Sequence, residues 1–524
     1  MLRFRIVTSY WLIFILGLPL WWSTTSIQRL TLPVNRVIST ANKPEPHFPL
    51  DISIEPAIGE SSTKYTDPKS LARQVENLLN DEKTNDPISW LGLTINVIGI
   101  SHAKREGLTY SVKIHSNPSS PDKEDNEQPS LWLDTRSLHV RDKSSSSDLS
   151  SLTASLVNAL SGLLVPHATT HRAGNPQRLI ARYASNFRLS FSLLNEDASA
   201  GDAVLGWDLE AAIDNYIYPV LSQLEVLHNF TIESQVQFHA PLAFDPPKSI
   251  SSVNECHYLL REEDLKIFVN SADWTLASSV SNDPVLHFIL FVPSASRRPL
   301  VVQTPAGKRS DSFVVPQWGS IVILDPSTLN KKDEYLQEGG IHLSTTDLAG
   351  PFNAFRSQLL TLLGVPSLPP SISYPQPSSA LNKSNLLSEW QLDALLRKRA
   401  LENTRDSKEA LSSIVKLVDQ IENMPVGQDV KGDVHGALDA IDQVYSTAFD
   451  SPQWALQHSA RANALSSRAF FNPGMLALLY FPAEHKYAVY IPLFAPVSVP
   501  LVVAVLREIK RWRQKQVLRR QKQD

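Results

Sequence analysis

The residues able to do covalent or metal chemistry in this chain are few, and their spacing does not suit it. Cys256 is the single cysteine among 524 residues, and His257 follows it directly. Neighbours on a strand point to opposite faces, so adjacency does not pair a thiol with a base. The context Asn254-Glu255-Cys256-His257-Tyr258 also lacks the Gln-Ala-Cys-x-Gly pattern of caspase-like proteases, which leaves a structural or incidental thiol as the expected reading. His167 and His171 stand four apart and could share a helical face. Ala168, however, sits where a zinc protease needs its glutamate, Arg172-Ala173-Gly174-Asn175-Pro176 breaks helix, and no third ligand is evident. Ala306-Gly307-Lys308-Arg309 lacks the spacing and hydroxyl of a phosphate-binding loop, and no nucleophile elbow or dinucleotide fingerprint occurs. Nothing in the acidic residues nominates a catalytic pair, so no catalytic residue, cofactor or metal is expected.

The elements that would have to position such groups are legible in part. Residues 66–82 are expected to be helical and Leu91–Ile100 to be a buried strand, opening an α/β unit. A short strand lies near Leu131–Leu133 between polar loops at 116–130 and 144–147. Leu149, Leu152, Leu156, Leu160 and Leu163 repeat at helical spacing. Phe187, Leu189, Phe191 and Leu193 alternate as in a half-buried strand, residues 207–229 look helical, and Thr231–His239 returns to strand character. Val285–Val292 and Ile321–Leu324 suit interior strands, and Asn353–Leu363 suits a helix ending near Gly364. Beyond a Pro-rich stretch, Ser388 with Gln391 and Asp406 with Glu409 read as capping boxes, and residues 384–470 are expected to be mostly helical.

Both ends carry apolar segments flanked by positive charge. Ile6–Trp22 holds seventeen residues without a charge, a reach of about 26 Å as helix. Ser23-Thr24-Thr25 approximates a signal cleavage site, but the paired Trp21 and Trp22 fit an interfacial belt and favour a retained anchor. Tyr487–Leu506 is twenty uncharged residues followed by Arg507, Lys510, Arg511 and Arg513, the pattern of a stop-transfer helix. Net charge is −4: residues 507–524 contribute +6, Arg3 and Arg5 contribute +2, and the stretch between them carries −12. Basic residues that flank apolar spans, rather than lining a face, exclude a nucleic-acid partner and mark cytoplasmic ends. A basic tail after Leu506 also excludes a GPI-attachment signal.

Pro492, Pro496 and Pro500 fall at i, i+4 and i+8, so a helix aligns them on one face. Each frees the carbonyl four residues earlier, and in lipid those carbonyls need partners, which makes the face a transmembrane docking candidate. The sequons at Asn229 and Asn382 are glycosylation candidates if they enter the secretory pathway. One cysteine allows no intrachain disulfide, so stability must come from apolar cores.

The expected fold is a mixed α/β lumenal domain with a C-terminal helical subdomain, flanked by N- and C-terminal transmembrane helices. Its order is a cytoplasmic N-terminus (1–5), a first span (6–22), a lumenal α/β domain (23–365), a Pro-rich linker (366–383), a helical subdomain (384–486), a second span (487–506) and a basic cytoplasmic tail (507–524).

Gly17-Leu18-Pro19-Leu20-Trp21-Trp22-Ser23-Thr24-Thr25 with Arg29 and Leu32-Pro33, and the stretch from Ala469-Phe470-Phe471 through Leu479-Tyr480-Phe481-Pro482 to Pro492-Leu493-Phe494-Ala495-Pro496, resemble the two ends of the PIG-S family. Ser234-Gln235-Val236, Phe291-Val292-Pro293-Ser294, Pro299-Leu300, Pro316-Gln317-Trp318-Gly319 and Leu362-Leu363-Gly364-Val365 are similar to family patterns between them. The resemblance implies a non-catalytic subunit of the GPI transamidase of the endoplasmic reticulum membrane, with the nucleophilic cysteine on a separate caspase-like catalytic subunit. It implies PIG-T, PIG-U and the GPI-anchor-attachment subunit as further partners, besides membrane lipid. The residues alone leave a membrane-tethered lumenal hydrolase as the alternative.

Overall fold

The computed structural model describes residues 2–25, 29–56, 68–87, 90–98, 105–115, 130–141, 149–165, 180–200, 203–250, 256–265, 267–269, 274, 276, 282–304, 307–329, 340–373, 387–421, 424–475 and 483–520. They divide into two compact units, Glu45–Asn403 with Gln443–Ala460, and Met1–Pro44 with Thr404–Asp442 and Arg461–Asp524.

The larger unit opens with β1 (Phe48–Pro56), β2 (Leu93–Ile98), β3 (Thr109–His115), β4 (Ser130–Asp134) and β5 (Ser137–Arg141). With the late strand Ile372–Ser373 they form a sheet in which β1 lies between β2 and β3 and β5 lies between β3 and β4. Alternation sets its faces: Tyr110, Val112 and Ile114 of β3 are buried, whereas Lys113 and His115 are half-buried. The helices Pro68–Asn85 and Leu149–Leu164 supply Leu71, Val75 and Leu79, and Leu152, Leu156 and Leu160, to the core of this unit. β2 is an edge strand with Thr94, Asn96 and Ile98 exposed, which corrects the expectation of a fully buried strand. Ile372–Ser373, inside the Pro-rich stretch, pairs with β4 and so is ordered by the sheet.

The rest of this unit adds β6 (Asn186–Asn195), β7 (Val204–Trp207), β8 (Asn229–Gln237), β9 (Lys248–Ile250), β10 (Cys256–Leu260), β11 (Val285–Val292), β12 (Leu300–Gln303), β13 (Arg309–Ser310), β14 (Ser312–Val315), β15 (Gly319–Ile323) and β16 (Ile341–Leu343). A five-stranded sheet runs β14-β15-β11-β6-β8 and is parallel except for β14. Its one face, with Phe191 and Phe288, packs on Phe352 and Phe355 of the helix Ala349–Leu363. Its other face, with Ile289, Phe291, Ile321 and Ile323, shares a second core with Phe268, Trp274, Leu300 and Val302. The helix Ala349–Leu363 stops at Gly364, whose φ of 76° is the left-handed cap that glycine adopts without a Cβ penalty.

β6 is buried on both faces after its first residue, so the half-buried strand expected from its alternation is a central one. The alternation is real, but its polar side is covered: Arg188, Ser190 and Ser192 are buried. Arg188 donates to Glu233 at 3.1 Å, and Gln235 donates to Ser192 at 3.0 Å, so β8 satisfies groups that would otherwise face water.

The helix Glu389–Gln420 begins with a reciprocal capping box. The Ser388 N–H donates to Gln391 Oε1 at 3.0 Å, and the Gln391 N–H donates to Ser388 Oγ at 3.2 Å. Asp406 and Glu409 lie inside this helix rather than at its start, because no breaker precedes them and Thr404, Ser407 and Leu411 are buried along it. One turn after the cap, Asp393 is 1% exposed and accepts from Arg136 Nε at 2.8 Å and from the Tyr110 hydroxyl at 3.2 Å. Arg397, four residues on, donates to the Tyr110 hydroxyl at 2.7 Å and to the Gly107 carbonyl at 3.2 Å. Trp390 lies over the Tyr110 ring at 4.1 Å. Burial pushes the Tyr110 phenol well above its ordinary range, with Arg397 pulling the other way.

In the smaller unit, Arg36 bridges Asp439 at 2.7 Å and Asp442 at 2.8 Å, and Lys43 adds a contact to Asp442 at 2.8 Å. Val430, Val434, Leu438 and Ile441 form the buried stripe of the helix Gln428–Thr447. This unit also holds the helices Leu2–Thr25 and Ala483–Arg520, which meet through an edge-to-face contact of Phe14 with Phe494 at 6.5 Å. Among the described residues no single helix is long and apolar enough to cross a membrane. Ala488–Pro496 and Ser498–Val517 meet the length and composition together, bent by 44°. Prolines that delete helix hydrogen bonds account for the bend, and Ser498 Oγ donates back to the Phe494 carbonyl at 2.8 Å beside it.

Because buried Asp393 pairs with the half-buried Arg136 and accepts from Tyr110, Asp393→Ala should lower unfolding stability by about 2–3 kcal/mol. Chemical denaturation of the full chain followed by tryptophan fluorescence checks this. A loss below about 1 kcal/mol, the net value of an ordinary hydrogen bond, would mean that the network is not a structural anchor.

Candidate functional site

In open parallel sheets, ligands enter the crevice beyond the carboxyl ends of the strands, where the strand order reverses. Here β6 comes first, β8 is added on one side of it and β11 on the other, so the switch point lies between β6 and β11. The residues at that mouth are Asn195, Glu196, Ser294 and Arg297. Glu196 is 4% exposed; one carboxylate oxygen accepts the Ser294 N–H at 2.8 Å and the other pairs with Arg297, which also pairs with Asp245. Asn195 donates to the Val204 carbonyl at 2.9 Å and accepts the Val204 N–H at 2.9 Å. With both oxygens accepting, Glu196 joins the strand ends to one another. These contacts make Glu196 a clasp between the two strand ends.

A second polar group lies at the other end of the same sheet, on the face turned away from the helix Ala349–Leu363. His287 of β11 stacks on Trp318 at 4.6 Å, near Arg188 and Glu233. Burial, reinforced by Arg188 and opposed by Glu233, pushes His287 down to about 4. His228, which donates from Nδ1 to the Ala184 carbonyl at 2.6 Å and packs against Phe187, is also pushed down to about 4, chiefly by burial. Both imidazoles are therefore neutral at pH 7 and serve as packing groups with a polar edge.

The family described as Phosphatidylinositol-glycan biosynthesis class S protein, PIG-S, matches residues 8–515. The chain belongs to the PIG-S family. A mouse member named GPI-anchor transamidase component PIGS is 31% identical over 364 residues, which are 68% of this chain and 63% of the mouse protein. The Schizosaccharomyces pombe member, named GPI transamidase component PIG-S homolog, is 25% identical over 522 residues, 96% of this chain and 83% of the relative. The Saccharomyces cerevisiae member, named GPI transamidase component GPI17, is 26% identical over 528 residues, 95% of this chain and 90% of the relative. The match therefore spans under two thirds of the mouse relative's length and most of that of the two yeast relatives.

Against the PIG-S background, the residues singled out from the sequence scatter through the fold. Cys256 and His257 open β10, paired in register with Ile250 and Ser249. His167, His171, Ala306 and Asn382 lie outside the described residues. Gly307, with φ 76°, and Lys308 make the turn between the antiparallel strands β12 and β13, so this is a hairpin, where a phosphate-binding loop would lead into a helix. Asn229 is the exposed first residue of the edge strand β8, not the tail of the preceding helix, and its amide donates to Asn186 at 3.3 Å. Pro492, Pro496 and Pro500 are exposed on the helix Ala483–Arg520.

Glu196, Asp245, Arg297 and His287 carry no signal in the sequence, since the clasp joins groups as far as 101 residues apart. The signal that was available is weaker: a carboxylate directly after a buried strand marks a strand end worth inspecting.

The buried imidazoles set an acid limit. Unfolded, each titrates near 6.5, but folded near 4, so below pH 6.5 the unfolded chain binds the extra protons. Stability should fall as pH drops from 6.5 toward 4, by on the order of 3 kcal/mol per imidazole at the bottom of that window. Denaturation midpoints at pH 7 and pH 4.5 test it: His287→Gln should lose less between the two than the wild type, and equal losses would exclude His287 as a source.

Proposed function

We propose that this chain is a non-catalytic subunit of a GPI transamidase, held in the endoplasmic reticulum membrane by two spans with the larger α/β unit in the lumen. The observation that carries the reading is the PIG-S match over residues 8–515, together with the printed role of its relatives as transamidase components. Two physical features support the membrane part. Ile13, Leu16 and Leu20 on one terminal helix and Ile491, Leu493 and Leu506 on the other are 60–68% exposed, an apolar surface that water disfavours and lipid accepts. Positive charge follows the apolar stretch of the second helix directly. The partners that this reading implies are a caspase-like catalytic subunit, PIG-T, PIG-U and the GPI-anchor-attachment subunit, and the aligned prolines are a face for docking among their helices.

Cells lacking the chain are the test. Re-expressed wild type should restore surface delivery of GPI-anchored proteins and co-purify the protease subunit, and Cys256→Ala should do both equally well. Loss of delivery by a folded, assembled Cys256→Ala variant would favour a hydrolase carrying its own nucleophile. Replacing residues 487–506 by a proline-free Leu/Ala helix should preserve insertion and reduce co-purification; undiminished recovery would make the prolines incidental.

Topology is separately testable. Protease added to sealed microsomes should remove tags from both termini, and endoglycosidase should shift the wild type by an amount that Asn229→Gln diminishes. A protected C-terminal tag would exclude the double-pass arrangement.

A further inference from the structure

The helix Ala483–Arg520 does not end where its apolar stretch ends: it continues without a break for fourteen residues past Leu506. That is about 21 Å of helix. Arg507, Lys510, Arg511, Arg513 and Lys515 are all exposed along it, and its one acid, Glu508, is spent on Arg511 at 3.2 Å. A tail that served only as a topology signal would need the charges but no ordered geometry. This one also keeps Ile509 44%, Trp512 61% and Val517 56% exposed. Those three fall at i, i+3 and i+8 on one side of the helix, an arc about 140° wide, and Arg513 and Gln516 lie on that same side, so apolar and basic side chains share it. Trp512 lies about 9 Å beyond Leu506, the depth of the headgroup zone where tryptophan collects.

We propose that the helical segment Arg507–Val517 binds anionic phospholipid headgroups of the leaflet that it leaves. This rests on the membrane reading above. Charge complementarity selects the occupant: five exposed cations concentrate on a surface whose lipids carry phosphate, and clusters of this size beside a span are attracted to anionic leaflets. The exposed apolar residues select a lipid surface over a soluble polyanion, because Ile509 and Trp512, within about 9 Å of Leu506 along the helix, would remain in water against a free phosphate compound and meet the membrane interface against a bilayer. The bend of 44° within the span also lets the segment leave the bilayer at an angle to the first half of the helix.

The experiment reconstitutes the full chain in nanodiscs of phosphatidylcholine containing one fifth phosphatidylserine, then measures the lipid classes that remain bound after transfer to mild detergent. The wild type should retain phosphatidylserine above its bulk share. Arg507→Gln, Lys510→Gln, Arg511→Gln, Arg513→Gln and Lys515→Gln combined should reduce that enrichment at least about fivefold, and half-molar salt should do the same to the wild type. Trp512→Ala should weaken it with the charges intact, which separates lipid insertion from simple counter-ion attraction. Equal enrichment in the wild type and the charge variant, or undiminished enrichment in Trp512→Ala, overturns the proposal. The membrane reading has its own control: a chain released from cell membranes by alkaline carbonate is not integral, whereas a chain that stays integral without lipid enrichment fails the lipid inference alone.

Discussion

A buried carboxylate organises the larger unit. Asp393 projects from the first turns of a long helix onto the sheet and finds Arg136 from the turn between β4 and β5, and Tyr110 from β3. Arg397, one turn on, approaches the same phenol from its other side. Taking the Asp393 and Arg397 charges out of water costs several kcal/mol each, which the contacts to Arg136, Tyr110 and the Gly107 carbonyl offset. Hydrophobic contacts would tolerate a helix slid or rotated by a fraction of a turn, whereas this set accepts one register. That the network fixes the docking of the helix is a hypothesis of specificity, and the denaturation of Asp393→Ala bears on it.

The same use of charge recurs where a parallel sheet usually recruits ligands. At the switch between β6 and β11, Glu196 and Arg297 clasp the strand ends, with Asn195 tying in the backbone of Val204. Glu196 and Asn195 thus spend contacts on holding the strand ends together. The two histidines furthest from their ordinary protonation, His228 and His287, owe that shift mainly to burial among rings.

Chain ends and interior differ in how they meet solvent. The interior elements bury alternating or helical stripes and leave polar faces outward, while the terminal helices expose large aliphatic side chains around their surface. Soluble packing does not account for that exposure, and the three prolines add carbonyls that need partners in any apolar medium.

By itself the sequence determined the elements whose cause is local. The apolar run Val285–Val292 coincides with β11, the Ser388–Gln391 box opens its helix, and Gly364 closes another, because periodicity, caps and left-handed glycine each act within a few residues. The clustering of charge at the chain ends and the spacing of the three prolines were equally open to reading. Only the tertiary structure decided which alternating strand is central and which is an edge. β6 carries serines and an arginine like a solvent-facing strand, yet β8, more than thirty residues later, covers them with Glu233 and Gln235. It also decided that Asp406 and Glu409 sit within a helix, that Ile372–Ser373 joins a sheet, and that Glu196 and Asp393 are clasps. In each case the deciding partner lies far along the chain, and a spacing rule senses only neighbours, whereas burial and charge pairing depend on what folding brings near.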